Sequence, residues 1–145
     1  MAEPNRRNNY QQSRHRSLDM NIQFRNDNGK IHPDLFADTA ETAAKRIAQS
    51  KGTNKSTQLR RFYDELVMWE EKAQQNEEKF DEYLPFVRML KAKAAYAEGR
   101  KLVDGAFVDM LGQMIDFVQT VNDLRVAKLF FEAFQGFYKL ERPKD

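Results

Sequence analysis

The chain has 145 residues, 41% of them hydrophobic and 32% charged, which suits one soluble domain with a modest core. It contains no cysteine, so disulfides and thiolate metal sites are excluded and a reducing cytoplasm is the expected setting. No apolar run approaches the roughly 20 residues that span a bilayer, and the polar, Arg-containing start is unlike the apolar core of a secretory leader.

Residues 1 to 30 are rich in Asn, Gln, Arg and Ser with few large apolar groups. Such a stretch buries too little surface to offset its ordering entropy. It reads as a mobile, mildly basic tail, and residues 31–145 read as the folded domain. A first helix is expected to begin near Pro33, with an apolar stripe of Leu35, Phe36, Ala40, Ala43, Ala44 and Ile47, and to stop before Gly52. A second starts at Ser56 or Thr57 as cap and carries Leu59, Phe62, Tyr63, Leu66 and Val67 at helical spacing. Trp69 extends its packing surface. The acidic, Gln-rich stretch from Gln74 to Glu78 is either exposed helix or a break.

A third helix is expected from about Pro85, with Phe86, Val87, Leu90, Ala94 and Ala97 on one side and Gly99 as a stop. A fourth carries Phe107, Met110, Leu111, Met114, Ile115, Val118 and Val121. Asn122 or Asp123 caps a fifth, which bears Leu124, Ala127, Phe130, Phe131, Phe134, Phe137 and Tyr138. Five amphipathic helices with short connections predict an all-α fold, a compact bundle without a sheet.

The net charge of +2 conceals strong segregation. Lys51, Lys55, Arg60 and Arg61 have no acid among them. Asp64, Glu65, Glu70, Glu71, Glu77, Glu78, Asp81 and Glu82 follow, against only Lys72 and Lys79. Arg88, Lys91, Lys93, Arg100 and Lys101 then oppose only Glu98. Basic segments of this kind attract phosphates. Lys93, Tyr96 and Arg100 share one helical flank with Met89 one turn earlier, so cations that track phosphates alternate with a ring that can stack on a base. The same spacing also fits a Tyr at the edge of a core with snorkelling neighbours. Arg88 and Lys91 point to the opposite side of that helix. Lys55, Arg60 and Arg61 sit at a helix N-terminus, where cations oppose the helix dipole but free N–H groups welcome phosphate. Alternatively, Arg60 and Arg61 pair with Asp64 and Glu65 at i,i+4 spacing.

Catalytic chemistry has little support. His15 and His32 stand in or beside the tail, in no metal-ligand or nucleophile–base spacing. No glycine-rich phosphate loop is present, and the adjacent carboxylates look like a wet helix surface. A helix-turn-helix DNA binder would need a tight helix pair that the sequence does not show.

The stretches NKSTQLRRFYDELVMW (Asn54 to Trp69), LPFVRMLKAKAAYAEGRK (Leu84 to Lys101) and KLFFEAFQGFYK (Lys128 to Lys139) resemble the small subunit of the type III-A CRISPR effector, the Csm complex. LFADTAETAAKRIA (Leu35 to Ala48) fits that family's first helix, so the resemblance covers roughly residues 31 to 142. It implies a non-enzymatic subunit without cofactors that assembles with backbone subunits and with neighbouring copies of itself. It further implies a basic track along the guide RNA–target RNA duplex, contacting backbone without base preference. Gln58, Arg60 and Arg61 match the TQLR block of that pattern, and Lys93, Tyr96 and Arg100 the AKAAYAEGR block. The expected RNA-binding set is therefore Lys55, Arg60, Arg61, Arg88, Lys91, Lys93, Tyr96, Arg100 and Lys101. The alternative is a purely protein–protein scaffold, in which the basic patches face acidic patches of neighbouring copies.

Overall fold

A computed structural model of the chain describes residues 17–145. Among these residues the fold is all-α: five α-helices and no strand, apart from an isolated antiparallel bridge between Arg25 and Ile31. The helices are α1 (Ala40–Ile47), α2 (Ser56–Gln75), α3 (Phe80–Gly99), α4 (Gly105–Phe117) and α5 (Val121–Glu141). A turn of π-helix, Leu35–Thr39, leads into α1, and a 3-10 turn, Glu77–Lys79, joins α2 to α3.

Burial follows the helical period. Leu59, Phe62, Leu66 and Ala73 are the buried apolar residues of α2, and Val87, Leu90, Ala94 and Ala97 form the inner stripe of α3. α1 packs mainly against α5, and α3 mainly against α4. Phe107, Phe130, Phe131 and Phe134 fill the centre. Phe107 meets Phe62 at 5.3 Å and Phe131 at 6.3 Å between ring centroids, tilted or edge-on as aromatic quadrupoles prefer.

Several expected boundaries shift. α3 begins at Phe80, so Pro85 lies inside it rather than in its first turn. Its missing N–H would have met the carbonyl of Asp81, one turn back, and its ring is exposed. Thr120, rather than Asn122 or Asp123, caps α5 by accepting the Asp123 N–H. Lys55 takes the N-cap position of α2 and makes no side-chain cap bond. Val118 falls at the end of α4, and Val121 opens α5.

The larger correction concerns the expected mobile tail. Residues 1–16 lie outside the described part, but from residue 17 onward the segment is a strap packed on the bundle. Leu18, Ile22 and Phe24 are buried, and Phe24 stacks on Phe117 at 4.4 Å. Their neighbours Asp19, Asn21 and Gln23 are exposed. The strap's backbone is held by side chains of α4: Leu18 N–H donates to Asp109 (3.0 Å) and Ile22 N–H to Gln113 Oε1 (2.7 Å). The amide nitrogen of Gln113 donates in turn to the Met20 carbonyl (2.9 Å). Arg25 pairs with the buried carboxylate of Asp123 on α5. The folded body thus starts before residue 31, because four alternating apolar side chains and two polar groups on α4 together satisfy an extended segment.

Candidate nucleic-acid interface

α2 and α3 form an antiparallel hairpin. Glu65 on α2 takes Lys93 on α3 at 2.5 Å, and further along Trp69 stacks on Phe86 at 5.4 Å. The acids Glu77, Glu78, Asp81 and Glu82 sit at the closed end, around the connecting turn.

At the open end, two loops are tied together by Asn54, which is fully buried. Its N–H donates to the Leu102 carbonyl (3.0 Å), its Oδ1 accepts the Asp104 N–H (2.9 Å), and its Nδ2 donates to the Ile47 carbonyl (3.2 Å). The Tyr138 hydroxyl on α5 donates to the Asn54 carbonyl. Burial pushes that hydroxyl up to about 12. This junction sets Lys55, beside Asn54, close to Lys101, beside Leu102. Lys101 has φ +62 and closes α3: its N–H reaches the Glu98 carbonyl (2.9 Å) and Leu102 N–H reaches Ala97 (2.9 Å). That is a Schellman ending with lysine where glycine is usual.

The nine residues expected to meet RNA divide by their partners. Arg88 donates to the Val118 carbonyl (3.2 Å) and Lys91 pairs with Asp116 (2.6 Å), both on the α4 side of α3. Lys93 is held by Glu65, and Arg60 faces Asp64 at 3.7 Å. Glu65 therefore serves Lys93 and not Arg61. Lys55, Arg61, Arg100 and Lys101 are exposed and have no carboxylate within ion-pair distance among the described residues. Arg61 lies one turn before Glu65 on the same flank, toward the end of α3 that carries Tyr96 and Arg100. Tyr96 is 69% exposed, and the Arg100 guanidinium lies 5.9 Å from its ring centroid. The structure thus gathers Lys55, Arg61, Tyr96, Arg100 and Lys101 at one end and sets Arg88 and Lys91 apart from them.

A scan of family models matches residues 31–144 to the family described as Csm2 Type III-A. The chain belongs to that family. It is a small subunit of the type III-A CRISPR, or Csm, complex and associates with the other subunits of that assembly. No curated protein and no solved structure matches it. The Csm2 assignment spans all five helices, including both loops of the Asn54 junction.

Sequence reasoning missed one feature of the same face. Phe86 was expected in the core but is 53% exposed, as is Met89, and Met68 on α2 is 38% exposed. Phe86 stacks on Trp69 instead, and the Lys72 ammonium lies 5.1 Å from the Trp69 ring. Phe86 precedes Val87 by about 100° of helical rotation, which turns it out of the buried stripe. Among the described residues no group of three or more His, Asp or Glu side chains could hold a metal ion, and no helix is long and apolar enough to cross a membrane.

Proposed function

We propose that this Csm2-family chain is a non-catalytic, cytoplasmic RNA-contacting subunit, lining the guide RNA–target RNA duplex and holding its phosphate backbone without sequence preference. The observation that carries this reading is the collection of unpaired cations at the open end of the α2–α3 hairpin. A cation already neutralised by a carboxylate gains little from a phosphate. Among the described residues Lys55, Arg61, Arg100 and Lys101 have no carboxylate within ion-pair distance, and release of RNA counterions on contact favours binding. Two of them also oppose local stability: Lys55 stands where a capping Ser or Asp would be better, and Lys101 where Gly would be. Residues kept against their local preference are a mark of a binding surface.

The test is the salt dependence of RNA affinity in the full chain. Four phosphate contacts give a slope near −3 in log K against log salt, at about −0.7 per contact for single strands. Arg61→Glu with Arg100→Glu should flatten it by about 1.4 or more and weaken binding across all sequences alike. An unchanged slope would overturn the assignment of these residues.

A protein-contact role for the same hairpin is favoured by the exposed Met68, Phe86 and Met89. If that face seats another subunit, Met89→Glu should impair assembly of the complex while leaving the RNA affinity of the isolated chain within about twofold.

A further inference from the structure

We infer that Tyr96 is a stacking platform for an unpaired nucleotide, so that this site prefers single-stranded RNA over a duplex of equal length. The inference rests on the RNA-contacting reading above and adds to it a selectivity that phosphate contacts alone do not supply. Tyr96 is the most exposed aromatic side chain among the described residues that expose large apolar groups, at 69%. Of its four neighbours on the helix surface, Ala92 and Gly99 at i−4 and i+3 are small, and Lys93 and Arg100 at i−3 and i+4 are cations. A Cβ added at Gly99 would meet nothing within 4 Å, so there is open space one turn along the helix from the ring. On another side the Arg100 guanidinium lies 5.9 Å from the ring centroid, holding the ring in place and offering a cation to the nucleotide's phosphate. Arg61 and Lys101 are further exposed cations at the same end of the hairpin.

A flat ring with a cation over one face and open space beside it is what single-strand binders use, because every unpaired base has a face to stack. A base held in a duplex already stacks on its neighbours and cannot reach the ring. Phosphates, by contrast, are present in both forms. Tyr96 therefore separates the two RNA forms, and the surrounding cations do not.

The experiment measures the affinity of the full chain for a labelled, unstructured single strand of roughly 20 nucleotides and for the matching duplex. Tyr96→Leu keeps apolar bulk but removes the ring, and at an exposed position it leaves the fold intact. It should weaken single-strand binding by about 5- to 150-fold and leave duplex binding within about twofold. Tyr96→Phe retains the face and should bind as the parent does. Gly99→Leu fills the adjoining space and should mimic Tyr96→Leu with the tyrosine still present. Equal loss on both RNA forms, no loss on the single strand, or loss only of a protein subunit from the complex would overturn the inference. If the parent chain binds neither RNA, the underlying reading fails as well. If it binds both equally, this inference alone fails.

Discussion

Asn54 makes three hydrogen bonds with its side chain and N–H, accepts a fourth at its carbonyl, and holds φ +58. Asn tolerates that left-handed conformation better than most residues. Asn54→Ala removes both side-chain bonds, leaves the Asp104 N–H unsatisfied and the Ile47 carbonyl with only a long bond from the Ser50 N–H (3.4 Å), and adds backbone strain. It should cost about 2–4 kcal/mol, read as a lower urea midpoint. Tyr138 gives a second test at this scale. Its hydroxyl titrates near 12 in the folded chain against about 10 when unfolded. The folded state thus favours the neutral form. The stability from this group is fully present below pH 10 and is lost as pH rises toward 12. Burial and the bond to Glu132 also push the Tyr63 hydroxyl up to about 12. Ultraviolet titration of phenolate absorbance should therefore show a late component from both rings that merges with alkaline unfolding, and Tyr138→Phe should shrink it without abolishing it. Asn54 belongs to the NKSTQLR stretch, yet nothing in its spacing announces a buried hub. Apart from Ile47, its partners come from loops and a helix 48 to 84 positions further on, at Leu102, Asp104 and Tyr138, and a sequence alone does not place those loops side by side.

At the scale of elements, the helices were readable because their inner faces repeat every three or four residues: Leu59, Phe62 and Leu66 in α2, or Leu124, Ala127, Phe130 and Phe134 in α5. Ends were less readable. Lys55 and Lys101 occupy positions that sequence rules assign to Ser, Asp or Gly. That gives a paired prediction. Lys55→Asp should stabilise α2 by about 0.5–1 kcal/mol through capping and dipole. Lys101→Gly should stabilise the end of α3 by a similar amount, about 0.5–1 kcal/mol. Both should raise the melting temperature and weaken RNA binding together. A rise in stability with unchanged RNA affinity would remove these two lysines from the interface. The split among the cations was also hidden, because pairing depends on which helix lies alongside. Arg61 loses Glu65 to Lys93 only once α3 packs antiparallel to α2.

At the scale of the whole molecule, the described residues add to the five-helix bundle the strap at residues 17–30. A signal for it was present: Leu18, Met20, Ile22 and Phe24 alternate with polar residues at period two, the pattern of an extended segment with one buried face. The segment's polar composition outweighed that alternation. Phe24→Ala should cost about 3–5 kcal/mol, because the ring is buried against Phe117 and Phe130. A change under about 1 kcal/mol would show that the strap is peripheral to stability. The Asn54 junction also bears on how the site pays for occupancy. Both lysine-bearing loops are fixed by hydrogen bonds inside the protein, so under the proposed RNA-contacting function little chain freedom would be surrendered on association. Severing the link from the buried Tyr138 hydroxyl should release those loops. Amide exchange would quicken at Asn54, and the entropy of RNA binding would become less favourable with every cation still in place.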